Sequence, residues 1–102
     1  MKIKNEMNQL FLREKPVNML IAIKNNKDPV YATLVSKAVD CTYSHTVKIL
    51  DAFKRLNLVE FEKTGRVKVI RPTEDGLEIA HDLEGLARKF VRILQKPKKA
   101  SK

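Results

Sequence analysis

The sequence predicts a mainly α fold with one small β-hairpin, an α+β arrangement the size of a single domain. Three observations lead there. Apolar residues recur at helical spacing in successive segments before Asn57. The spacing then falls to two on either side of a Thr-Gly turn. After Pro72 a heptad-like apolar seam runs to Leu94. With 102 residues and a hydrophobic fraction of 43%, the chain suits one globular core. There is no Trp and aromatics make up 6%, so Leu, Ile, Val and Ala must supply most of that core.

The elements follow in order. Residues 5–15 place Met7, Leu10 and Phe11 at helical spacing, and Pro16 breaks that helix or opens the next. Val17, Leu20, Ile21 and Lys24 then keep a 3.6-residue period, with Met19 and Ile23 widening the stripe. Asn25-Asn26-Lys27-Asp28-Pro29 is a stop signal, and Val30-Tyr31 suits a very short strand. Thr33 is the expected N-cap of a helix over 34–39, followed by a tight turn at Asp40-Cys41-Thr42. Thr42 or Ser44 caps the next helix, 43–56, whose inner face is read as Val47, Leu50 and Phe53. Asn57 stands where a left-handed residue ends a helix.

A hairpin is expected over 58–71, with strands 58–63 and 66–71 around Thr64-Gly65. Pro72 ends it, and Thr73-Glu74-Asp75 supplies an N-cap and first-turn acids for a long helix to about residue 95. Ala80, Leu83, Ala87, Phe90 and Leu94 form its seam, the expected dimerisation face. Leu77, Leu86, Val91 and Ile93 extend or widen that seam. Its acids precede Ala87 and its bases follow, as the helix dipole favours, while Gly76 and Gly85 weaken it modestly. A chain this short gains from a partner subunit, so a homodimer is expected. Residues 1–95 read as one domain and 96–102 as a disordered basic tail.

Lys and Arg number 21 against 12 Asp and Glu, for a formal charge of +9. That excess favours a polyanionic partner, nucleic acid first and an anionic membrane second. It also suits a protein whose charge only keeps it dispersed. The single cysteine, Cys41, excludes an internal disulfide and fits a reducing compartment. The first eight residues lack the apolar stretch of a signal peptide, and no apolar run approaches membrane-spanning length. A soluble, cytoplasmic protein with no membrane partner is expected, nucleoid-associated if it binds DNA.

The segment Thr33-Leu-Val-Ser-Lys-Ala-Val-Asp-Cys-Thr-Tyr-Ser-His-Thr-Val-Lys-Ile-Leu-Asp-Ala-Phe-Lys-Arg-Leu-Asn-Leu-Val59 resembles the helix-turn-helix of MarR-like prokaryotic regulators. Asn57-Leu58-Val59 stands for their Gly-Leu-Val, and Pro72-Thr73-Glu74-Asp75-Gly76 is similar to their Leu-Thr-x-x-Gly. The likeness covers roughly residues 17–80. Asn replaces Gly at 57, and the chain is shorter than typical MarR proteins. Its single long C-terminal helix looks more like small archaeal winged-helix proteins that pair through a coiled coil.

The resemblance implies a winged helix-turn-helix that binds double-stranded DNA, with residues 43–56 as recognition helix and 58–71 as wing. A major groove admits one helix, whose N-terminal residues reach base edges. Thr42, Tyr43, Ser44, His45 and Lys48 are the candidate contacts there, and Lys63, Arg66 and Lys68 those of the wing. Arg66 suits a narrow groove of high negative potential. The terminal lysines add mobile phosphate contacts or only solubility. Each candidate is otherwise a solvated surface residue, and Tyr43 otherwise packs on the turn.

No enzyme constellation, cofactor or metal is expected. The three glycines form no phosphate loop, and His45 and His81 lie outside any metal-spacing motif. Asp40, Cys41 and His45 are neighbours in sequence, yet a structural cysteine explains Cys41 more simply. Ser44 and His45, adjacent on a helix, point apart. The expected function is a sequence-specific homodimeric transcription regulator. The alternatives are an architectural DNA-coating protein and a winged-helix protein-interaction module. Neither an operator sequence nor a small-molecule effector is legible in the residues.

Overall fold

The computed structural model describes residues 10–96. The Met7 expectation and residues 97–102 of the expected tail lie outside them. Four helices and one hairpin follow in order: α1 (Glu14–Asn25), α2 (Ala32–Ala38), α3 (Tyr43–Arg55), β1 (Val59–Thr64), β2 (Val67–Pro72) and α4 (Glu74–Gln95).

The chain breaks at Leu12 and Arg13, so the first predicted helix does not reach Lys15. Pro16 instead sits in the first turn of α1, where its missing N–H has no intrahelical partner to lose. The buried stripe of α1 is Pro16, Met19, Leu20 and Ile23, with Val17 and Ile21 on its flanks. Lys24 is half-buried because Glu84 of α4 takes its charge. Helix α2 starts earlier than expected. Tyr31 is its N-cap and makes no side-chain bond, so Thr33 is not the cap and falls within the first turn.

Helices α2 and α3 end in the same way. At the end of α2, Asp40 turns left-handed (φ 55), Cys41 N–H reaches back to the Ser36 carbonyl and Asp40 N–H to that of Lys37. At the end of α3, Asn57 (φ 63) does the same, with Leu58 N–H on the Phe53 carbonyl and Asn57 N–H on that of Lys54. Both are Schellman caps, and both use the short polar side chains that tolerate a left-handed backbone.

Strands β1 and β2 pair antiparallel from Val59↔Pro72 to Thr64↔Val67. Gly65 and Arg66 are therefore the two loop residues, one position later than predicted. The positive φ of Gly65 (63°) at the first loop position follows the Gly-X pattern of a type II′ turn. The short strand expected at Val30-Tyr31 is a single bridge, in which Ile70 N–H donates to the Val30 carbonyl.

The core gathers Met19, Leu20 and Ile23 of α1, Val35 of α2, and Ile49, Leu50 and Phe53 of α3. Leu58, Val59 and Ile70 close it from the hairpin and Ala80 from α4. Full burial of each large side chain contributes about 1.5–3 kcal/mol over exposure. Phe11 stacks on Phe53, ring centroids 5.8 Å apart. The inner face of α3 is Thr46, Ile49, Leu50 and Phe53; Val47, predicted to be inside, is half-exposed.

Helix α4 divides along its length. Ala80 is fully buried in the chain's own core, so it is not available to a partner, and Leu83 packs against that core. Ala87 is half-buried beside α1. Beyond it the apolar residues stand free, with Phe90 56% and Leu94 74% exposed.

The start of α4 is tied to the end of α3. Thr73 Oγ1 accepts from Gly76 N–H (3.0 Å) and donates to the Asn57 carbonyl (2.7 Å), while Thr73 N–H donates to the Leu58 carbonyl (3.0 Å). Gly76 lies so close that a Cβ there would stand 2.0 Å from the Leu58 oxygen. The only freedom this glycine uses is the absence of a side chain. At its other flank, α4 is tied to α1 by Glu84. One oxygen takes Lys24 Nζ at 2.8 Å and the other Asn25 Nδ2 at 2.7 Å.

Two predictions follow from these ties. Gly76→Ala should cost about 2–3 kcal/mol, since the backbone it strikes cannot yield without breaking the Thr73 bonds. Gly85→Ala meets nothing within 4 Å and should add roughly 0.5–1 kcal/mol by helix propensity; urea unfolding of both variants checks the pair. The hydrogen bonds from Lys24 and then Asn25 hold the Glu84 carboxyl below its ordinary value of 4.5. A lowered native pKa gives stability that is complete above that ordinary value and is lost as pH falls through the native one. The gap in urea midpoint between wild type and Glu84→Gln should therefore be constant near neutrality and narrow below about pH 4.5.

Candidate nucleic-acid interface

Thr42 organises the start of α3. Its hydroxyl accepts from His45 N–H (3.3 Å). Its carbonyl receives both Thr46 N–H (2.9 Å) and the Thr46 hydroxyl (2.8 Å). Thr46 thereby satisfies its polar group while fully buried, and its burial rotates α3 so that Tyr43, Ser44, His45 and Lys48 are exposed. The turn before α3 is pinned from α1: Lys15 Nζ donates to the carbonyls of Val39 (2.8 Å) and Asp40 (2.7 Å). A cation at the carbonyl end of a helix also complements its dipole.

The exposed residues divide into three directions. Ser44 and Lys48, four apart, lie on one outward stripe. His45 and Ile49 border a cleft with Leu10, Arg13 and Pro16. Tyr43 and Val47 face a groove whose far wall is the hairpin, with Phe61, Arg66 and Lys68.

The hairpin is cationic at its tip. Lys63 and Lys68 are direct cross-strand partners. Like charges in that position destabilise a strand pair, and no acid lies between Glu62 and Glu74 to offset them. Lys68 Nζ stands 4.8 Å from the centre of the Phe61 ring and Lys54 Nζ of α3 stands 5.7 Å from it. These contacts hold two ammonium groups beside the groove. The arrangement presents hydrogen-bond donors on an exposed helix and unneutralised cations on the adjoining hairpin, which is the chemistry that holds phosphates.

No family model matches the sequence. An uncharacterized protein of Archaeoglobus fulgidus is 28% identical over 87 residues, which are 82% of this chain and 92% of that protein. The MarR family transcriptional regulator SPO1453 from Silicibacter pomeroyi superposes with a TM-score of 0.73 at 26% identity, covering 86% of this chain and 63% of that one. The Staphylococcus aureus MepR–DNA complex superposes with a TM-score of 0.75 at 15% identity, covering 87% of this chain and 67% of that one. This chain has a winged-helix fold, similar to that of MarR-family regulators.

In winged-helix terms α2 and α3 form the helix-turn-helix and β1–β2 the wing. All eight predicted interface residues are exposed. The fold brings Tyr43 of the helix and Arg66 and Lys68 of the wing to one groove. It places His45 on the opposite flank of α3 and gives the Thr42 hydroxyl a capping bond. Lys15, Lys54 and Phe61 went unread in the sequence. Their roles come from contacts across distant elements, and neither charge nor periodicity carries a signal for those.

Among the described residues no group of three or more His, Cys, Asp or Glu stands together as a metal site. Cys41 is half-buried, held by its backbone bond to Ser36. No helix among the described residues is long and apolar enough to cross a membrane.

Proposed function

We propose that this chain is a homodimeric transcription regulator that binds specific double-stranded DNA sites. The observation that carries the reading is the groove in which Tyr43 and Val47 of α3 face Arg66 and Lys68 of the wing, next to the exposed Ser44 and Lys48. Ser44 and Lys48 enter the major groove, where Lys48 donates to a guanine edge or a phosphate. Arg66 and the Lys63–Lys68 pair follow the backbone into the neighbouring minor groove. Support comes from the MarR family regulator and the MepR–DNA complex that share the fold.

The partner subunit is supported by the free end of α4. Leu86, Phe90, Ile93 and Leu94 are exposed there at helical spacing, an apolar stripe along one face of α4. Pairing two such ends would set two recognition helices about 34 Å apart, one turn of DNA, on a two-fold site.

Lys48→Ala should weaken specific-site binding by about 1–3 kcal/mol and relax the preference at one base position. Arg66→Ala should weaken all duplexes alike and lower the salt slope by about one. Anisotropy titrations across a salt series, with random duplex as competitor, measure both. Unchanged affinities would reject the interface. A specific-to-random ratio near one would replace regulation with architectural coating. Phe90→Asp should give monomers in sedimentation with the helical content preserved, and an intact dimer would reject the α4 pairing.

A further inference from the structure

The groove between α3 and the wing has a volume of about 630 Å³ and is walled by more than cations. Tyr31, Tyr43, Phe61 and Val67 meet there, and Tyr43 is 57% and Val67 44% exposed. Isolated exposed apolar side chains are ordinary on a surface. Two tyrosines and a phenylalanine lining one groove are not, and both tyrosines are exposed there. The rim adds Arg66 and Lys68, and the contacts over Phe61 hold Lys68 and Lys54 in place. Asp51 is the acid on this surface, an acceptor for a base N–H.

A duplex cannot use such a surface fully. Its bases turn only their edges outward, since their faces are stacked on one another. An unpaired base exposes a face that stacks on an aromatic ring, and its phosphate needs a cation a few ångströms away. The groove offers both, at a size within the range of sites for nucleotide-sized molecules. We propose that it holds unpaired bases of single-stranded DNA, with Tyr43 as the stacking platform and Arg66, Lys68 and Lys54 on the phosphates. The inference stands without the duplex reading. Because Tyr43, Arg66 and Lys68 belong to both surfaces, single strand and duplex would exclude one another.

The test uses a property of this composition. The chain has no Trp and two Tyr, Tyr31 and Tyr43, and both line the groove. The intrinsic emission of the whole protein therefore reports on this one place. The full chain is titrated with a ten-nucleotide oligothymidylate and with an abasic strand of equal length and charge. Stacking predicts quenching by the first and not the second, with the first binding about tenfold more tightly in an anisotropy assay. Tyr43→Ala should lose about that factor, and Tyr43→Phe should keep it. Equal affinity for the two strands, or unchanged tyrosine emission, would overturn the proposal; this comparison is made on the wild type and does not depend on how a variant folds. Failure of the oligothymidylate with duplex binding intact removes this inference alone. Failure of both removes the nucleic-acid reading as well.

Discussion

A knot of backbone polar atoms between residues 57 and 76 holds the functional parts of this protein in register. The Asn57 carbonyl takes the Thr73 hydroxyl, the Leu58 carbonyl takes the Thr73 N–H, and Gly76 presses against that same Leu58 oxygen. Helix α3 ends here, both strands of the wing begin or end here, and α4 starts here. Each hydrogen bond alone contributes about 1 kcal/mol. Together they leave the three elements little freedom to change their mutual angle. The left-handed backbone at Asn57 is the condition for all of it, because it turns the chain sharply enough for Leu58 to enter the core.

A second set of ties serves the presentation of α3. Lys15 reaches across to the turn carbonyls, Thr42 caps the helix, and Thr46 returns its hydroxyl to Thr42. The buried side of α3 is thereby settled to within one residue, and the exposed side with it. The wing shows the opposite economy. Lys63 faces Lys68 without an intervening acid, so the hairpin is less stable than its register would allow. Local repulsion of this kind is relieved by an anion, and a phosphate backbone supplies anions at regular spacing.

Much of the fold was legible because its punctuation is chemical. Thr73 caps α4, Asn57 ends α3, and the change of period after it marks the hairpin, all as the residues suggest. The errors have physical reasons. Thr33 has the right side chain for a cap, yet the helix begins at Ala32 without a side-chain bond, since Val35 must reach the core. The three-residue spacing of Val47, Leu50 and Phe53 points to Val47 as internal. The chain buries Thr46 instead, and its hydroxyl is satisfied within the helix. Gly76 looked like a weak helix residue, and its reason is a close approach that no local pattern encodes. Ala80 belongs to the heptad-like seam by spacing, but the chain's own core claims it. The candidate interface was legible as a set of residues. Its division into an outward stripe, a histidine flank and an aromatic groove follows from tertiary contacts alone.

The way α4 is fastened has a mechanical consequence. Its first half is bonded to the wing base and to α1, while its second half projects with apolar residues exposed. A helix of 22 residues is roughly 33 Å long at 1.5 Å per residue, so it acts as a lever with its fulcrum beside α3. Because those ties fix the angle between α4 and α3, a turn of the whole body by about 5° about the wing base displaces the far end by roughly 3 Å, close to the rise of one base pair, and whatever grips that end gains leverage over where the helix-turn-helix sits.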